Sequence, residues 1–136
     1  MRGITVLLVD DEIPFVETVN RRLAKRGINI LTAFSGEEAL VQLDNNPGIQ
    51  VVVLDVKMPG MNGIETLAEI KRHHPLVEVI ILTGHTTIES AIRGMRLGAF
   101  DYLSKPCELE ELANKIRLAV RKGGHNNEEH SSLARR

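Results

Sequence analysis

The chain has 136 residues, 43% of them hydrophobic and 26% charged, with a formal net charge of -1 at pH 7. That length suits one domain with one core. The near-neutral balance excludes a basic nucleic-acid-binding module, and no apolar run approaches the roughly 20 residues of a membrane span. The N-terminus lacks the ordered regions of a secretory leader, so a cytoplasmic location is expected. Cys107 is the single cysteine and cannot form an intrachain disulfide; it reads as a small packed residue.

Residues 4–9 form a continuous apolar run broken by Asp10-Asp11-Glu12, the pattern of a buried strand ending in carboxylates. Pro14 suits the first turn of a helix, with Asp11 or Glu12 near its cap. Val16, Val19, Leu23 and Ala24 then recur at helical spacing until Gly27. Residues 29–34 read as a short strand, after which Ser35 and Glu38 predict a capping box for a helix burying Ala39, Leu40 and Leu43.

Following the turn Asn45-Asn46-Pro47-Gly48, Val51-Val52-Val53-Leu54 has no polar alternation, as expected of a central strand covered on both faces. It stops at Asp55 and gives way to the loop Val56-Lys57-Met58-Pro59-Gly60-Met61-Asn62-Gly63. Ile64, Leu67, Ala68 and Ile70 then form a helical stripe ending at His73-His74-Pro75, where the histidines read as a solvated helix end. Residues 77–83 are the next buried strand, ending in Thr83 and Gly84. Thr86 or Thr87 can cap the helix that follows, with Ile88, Ala91, Ile92 and Met95 on its expected inner face. Residues 98–104 read as a shorter fifth strand ending at Lys105-Pro106, and Leu109, Leu112, Ile116, Ala119 and Val120 line the last helix.

Strands alternating with helices predict an α/β domain, a doubly wound parallel sheet with right-handed crossovers and helices on both faces. Residues 3–122 form this domain. Residues 123–136 are too polar to bury themselves and are expected to be a flexible tail or the start of a linker.

Four strands end in reactive groups: Asp10 and Asp11, Asp55, Thr83, and Lys105. A parallel sheet gathers these ends on its carboxyl edge, where open α/β sheets bind ligands. Each has an ordinary structural reading alone: a helix cap, a turn Asp, a β-branched strand residue, a solvent lysine. Together they suit different chemistry. Crowded carboxylates call for a cation, and oxygen ligands without His or Cys favour Mg²⁺. Such a site would bring a phosphoryl donor to Asp55 as nucleophile, with Lys105 and the Thr83 hydroxyl holding the other oxygens. Gly84 is expected to leave space beside Thr83.

On Val9-Asp10-Asp11-Glu12, Leu54-Asp55-Val56-Lys57-Met58-Pro59-Gly60-Met61-Asn62-Gly63, Leu82-Thr83-Gly84 and residues 99–106, the chain resembles a response-regulator receiver domain. This is the phosphoacceptor module of two-component signalling. The resemblance implies a five-stranded, flavodoxin-like sheet of order 2-1-3-4-5; the chemotaxis receiver that defines this order is a familiar member. It implies that Asp11 and Asp55 ligate Mg²⁺ with the Lys57 carbonyl, that Asp10 acts through water, and that Asp55 is the modified residue. Thr83 and Tyr102 are then the switch pair, and Lys105-Pro106 is expected to be cis. The implied partners are a sensor histidine kinase or phosphotransfer protein and a downstream effector domain or protein. Activation is expected to switch the face of the fourth helix, fifth strand and last helix, with possible homodimerisation and an output in transcriptional regulation if an effector follows. The domain itself would bind neither nucleic acid nor membrane.

An Asp-nucleophile phosphohydrolase needs an acid/base group beside Asp55, and Lys57 stands where related hydrolases carry an Asp. Slow self-catalysed loss of the phosphoryl group is therefore expected, rather than enzymatic turnover, with His85 the one residue that can orient a water. A nucleotide binder would meet repulsion from Asp10-Asp11-Glu12. A phosphorylation-independent interaction module is the remaining alternative, and the complete acidic, Thr and Lys set argues against it.

Overall fold

Along each central strand, alternate side chains enter different cores, as the period of two requires. Val6 and Leu8 of β1 (Ile4–Val9), Val51 and Val53 of β3 (Val51–Leu54), and Ile80 and Leu82 of β4 (Glu78–Thr83) pack into one cluster. Leu7 and Val9, Val52 and Leu54, and Val79 and Ile81 pack into the other. The computed structural model describes residues 3–57, 62–84 and 87–135, with side chains described through residue 123. With β2 (Ile28–Ala33) and β5 (Asp101–Ser104), the strands form one parallel sheet in the order β2-β1-β3-β4-β5.

On one face, α1 (Ile13–Ala24) contributes Val16, Val19 and Leu23, and α5 (Leu109–Arg135) contributes Leu112, Ala113, Ile116 and Ala119. On the other, α2 (Gly36–Asn45) buries Ala39 and Leu43, and α3 (Gly63–His73) buries Leu67 and Ile70. Each fully buried Leu or Ile contributes about 1.5–3 kcal/mol of transfer free energy. The doubly wound fold and its strand order are those expected.

Local signals act mostly as read. A capping box of Asn62 and Glu65, which was not assigned from sequence, starts α3. Thr87 caps α4 (Ile88–Arg96) through Ser90, whereas Thr86 lies outside the described residues. At α2 the Ser35 hydroxyl accepts from the Glu38 N–H, but Glu38 turns back to the Phe34 N–H (3.2 Å) rather than to that of Ser35, so the expected box is only half made. β5 begins at Asp101 instead of residue 98, because Gly98 takes a left-handed φ of 104° in the turn leaving α4. α5 keeps a helical backbone to Arg135, through the segment whose composition suggested a tail or linker.

The main correction concerns α4. Ile88, Ile92 and Met95, expected to face inward, are 80%, 48% and 45% exposed, and Gly94 is the residue the helix buries. A Cβ on Gly94 would collide with the Ile81 side chain. The helix therefore approaches β4 through its smallest residue and turns its apolar stripe outward.

Candidate functional site

Backbone hydrogen bonds continue the sheet one residue beyond the strand ends and fix the groups that follow. Asp10 N–H donates to the Ala33 carbonyl (3.1 Å), Asp55 N–H to the Val9 carbonyl (3.0 Å) and Lys105 N–H to the Thr83 carbonyl (2.9 Å). Asp10, Asp55, Thr83 and Lys105 are thus set on rigid strand ends along one edge. Gly63, the first residue of α3, stands so close to this edge that a Cβ there would overlap the Asp55 carbonyl oxygen and Val56 Cα. Its N–H donates to the Val56 carbonyl at 3.0 Å.

Carboxylate oxygens of Asp10, Asp11 and Asp55 all lie within 4.8 Å of one another, a donor set that can hold a metal ion. Asp10 and Asp55 are buried, whereas Asp11 is exposed. The all-oxygen chemistry suits a hard divalent cation such as Mg²⁺. The Lys57 N–H donates to Asp55 Oδ1 at 3.1 Å, curling the chain over that carboxylate.

Lys105 reaches the same pocket from β5. Its Nζ donates to Asp10 Oδ2 (2.6 Å) and Glu12 Oε1 (2.9 Å), lies 3.6 Å from Asp55 Oδ2, and sits 4.2 Å above the centre of the Phe15 ring. With a side chain only 14% exposed, it is not a solvent charge. Burial pushes the Asp10 carboxyl above its ordinary range and Asp55 adds to the rise, against the hydrogen bonds from Lys105 and the Glu12 N–H. For Lys105 burial pulls the other way, and the hydrogen bonds to Asp10 and Glu12 with the charges of Asp10 and Asp55 outweigh it, holding the ammonium above its ordinary range. Its bond to Pro106 is cis, as expected.

Thr83 is fully buried at the end of β4. The β4–β5 register places Ile81 beside Tyr102 and Thr83 beside Ser104, so Thr83 and Tyr102 are diagonal neighbours on the sheet face that meets α4. Tyr102 is half-buried, and its Oη lies 3.1 Å from Ser90 Oγ of α4. A Cβ on Gly84 would meet Lys105 Cβ at an ordinary 3.9 Å. His85 lies outside the described residues.

Three neighbours were not assigned to the site from sequence. Glu12, expected near the α1 cap, makes no side-chain cap bond and turns to Lys105 instead. Its adjacency to Asp10-Asp11 was the available signal. For Phe15 and Ser90 no such signal exists. Cys107 is half-buried beside the site; burial, helped by Glu111 and Glu108, pushes its thiol up and keeps it protonated.

The chain matches the family model described as response regulator receiver domain over residues 6–117. It is 37% identical over 119 residues to the DNA-binding transcriptional regulator NtrC of Salmonella typhimurium, covering 88% of this chain and 25% of that protein. With the transcriptional regulatory protein CpxR of Klebsiella pneumoniae it shares 36% identity over 129 residues, covering 95% of this chain and 54% of CpxR. The chain thus spans about a quarter to a half of the length of these relatives. Among solved structures, a response regulator receiver domain protein from Clostridium thermocellum superposes with a TM-score of 0.83 at 38% identity, covering 88% of this chain and 95% of that one. NtrX from Brucella abortus, crystallised with ADP, gives 0.88 at 30% identity, covering 95% of this chain and 30% of that one.

Proposed function

The chain belongs to the response-regulator receiver family of two-component signalling, and on that premise we propose that Asp55 is its phosphoacceptor. The donor is the phosphohistidine of a sensor kinase or phosphotransfer protein, or a small molecule such as acetyl phosphate. One observation carries the reading: the carboxylates of Asp10, Asp11 and Asp55 meet within 4.8 Å, with the Lys105 ammonium 3.6 Å from Asp55 Oδ2.

The donor set fits Mg²⁺, which Asp11, Asp55 and the Lys57 carbonyl would hold, with Asp10 acting through water. When bound, the ion neutralises phosphoryl oxygens and brings the donor to Asp55. An Asp55 oxygen forms the new P–O bond as the donor's P–N bond breaks, and the imidazole nitrogen keeps the electron pair. Lys105 and the Thr83 hydroxyl donate to the transferred group's free oxygens. Position 57 offers a lysine instead of a base that would activate water, so the phosphoryl group is retained long enough to signal.

Readout follows from the shared face of Thr83 and Tyr102. Drawing the Thr83 hydroxyl toward the phosphoryl group opens space beneath α4 into which Tyr102 turns, changing the surface of α4, β5 and α5. The outward stripe of Ile88, Ile92 and Met95 supports that surface as a contact for a second copy or an effector. Among the described residues no helix is long and apolar enough to cross a membrane, in keeping with a cytoplasmic module whose output is transcriptional regulation through an effector domain.

The test is intact-mass spectrometry after incubation with acetyl phosphate. One phosphoryl adduct is expected with Mg²⁺, and none with chelator or in Asp55→Asn. An adduct surviving that substitution would overturn the assignment.

A further inference from the structure

We propose that Glu12 is a positioning residue for Lys105, holding the ammonium in the unphosphorylated protein and releasing it to the phosphoryl group on Asp55. The inference rests on the phosphoacceptor reading above. Among the described residues, four groups meet Lys105 Nζ, namely Asp10 (2.6 Å), Glu12 (2.9 Å), Asp55 (3.6 Å) and the Phe15 ring (4.2 Å).

These contacts differ in how easily they are exchanged. Asp10 is buried and its second oxygen takes the Glu12 N–H at 2.9 Å, so its carboxylate cannot follow a moving lysine without stranding a buried charge. Glu12 is 64% exposed, and water replaces the ammonium there at small cost. The Phe15 ring holds a cation over its whole face, so Nζ can slide above it without losing that attraction. Asp55 Oδ2, at 3.6 Å, needs the ammonium to advance by less than about 1 Å to reach hydrogen-bond distance. A phosphoryl group adds negative charge and acceptor oxygens at that end of the path. Glu12 is the anion that competes with it for Lys105 from the solvent side.

The test compares wild type with Glu12→Gln, which keeps the side-chain length and removes the charge. Beryllofluoride, a phosphoryl mimic, is titrated at saturating Mg²⁺ and followed by the aromatic-ring NMR signals of the three phenylalanines. The Glu12→Gln protein should bind it about fivefold more tightly. Before any ligand is added, its Phe15 signals alone should already be displaced toward their beryllofluoride-bound positions in wild type. Unchanged or weaker binding overturns the inference. So does a displacement spread over Phe34 and Phe100, which would indicate a general structural change. Failure of wild type itself to bind Mg²⁺ and beryllofluoride would instead overturn the phosphoacceptor reading.

Discussion

Tyr102 Oη on β5 and Ser90 Oγ on α4 lie 3.1 Å apart, joining the half-buried ring to the helix whose apolar stripe faces solvent. On the proposed switch, this bond would restrain Tyr102 from turning toward Thr83. Ser90 also bonds to Thr87 in the α4 cap, so replacing it would loosen the helix start as well. Tyr102→Phe is the cleaner probe, removing one hydroxyl and leaving the cap intact. It should cost about 1 kcal/mol or less of stability. At limiting beryllofluoride and Mg²⁺ it should shift association to lower protein concentration, as read by light scattering. Loss of association would show that the hydroxyl is needed in the activated state instead.

Asp10 carries a burial cost that a bound Mg²⁺ would relieve. Its folded-state pKa is raised by burial, so between the ordinary value of 3.8 and the raised value the folded protein binds more protons than the unfolded one. Stability contributed by this group is therefore greatest at low pH, declines as pH rises through that window, and stays reduced at neutral pH. Asp10→Asn should melt at the same temperature as wild type or a few degrees higher at pH 7 without metal, with the difference shrinking on acidification toward pH 3.8. Its Mg²⁺-induced rise in melting temperature should be largely lost. Calorimetry with and without Mg²⁺ across pH 4–8 checks both, and an undiminished Mg²⁺ shift would contradict the role given to Asp10.

The strands and their reactive ends were legible because a buried parallel strand must be apolar throughout, making the polar residue that ends it conspicuous. Asp55 owes its visibility to that contrast, whereas Lys105 follows the more polar β5 and was marked by the Pro106 that stops the strand. Facing of α4 was not legible in the same way. Helical spacing groups Ile88, Ile92 and Met95 on one stripe without saying which way it points, and Gly94 decides this through its approach to Ile81. Glu12 was obscured by competition between scales. Next to Pro14 it suits a helix start, whereas its partner Lys105 lies 93 residues away. Ser90 has a local explanation in the Thr87 cap, which conceals its bond to Tyr102.

Gly63 sets how closely α3 can approach Asp55, the proposed phosphoacceptor. Gly63→Ala places a methyl group against the Asp55 carbonyl and Val56 Cα, both main-chain atoms that cannot rotate away. Overpacking of this kind costs about 1–3 kcal/mol. The displacement falls on Asp55 itself, so phosphorylation by acetyl phosphate should slow by at least about tenfold, consistent with the sensitivity of such steps to misplacement. Intact-mass time courses at a temperature where the variant remains folded test this. A wild-type rate would mean that the strain is absorbed by α3 alone.

The outward stripe of α4 gives the sharpest separation between fold and output. Ile92 and Met95 are about half exposed, Ile92 on the far side of the helix from Gly94 and Met95 about 100° round from it, and Gly94 is the residue α4 buries. A lysine at either position keeps its ammonium in water and should alter stability by no more than about 0.5 kcal/mol. If this stripe is the contact made on activation, two buried ammonium groups would face each other in a symmetric dimer, or one would enter an apolar partner surface. Ile92→Lys should then phosphorylate at the wild-type rate, with the same Mg²⁺ dependence, while activation-dependent association is lost. Intact-mass spectrometry and light scattering on the same sample read the two properties separately. Full association in both Ile92→Lys and Met95→Lys would remove α4 from the output surface and leave β5 and α5 as the face to be tested.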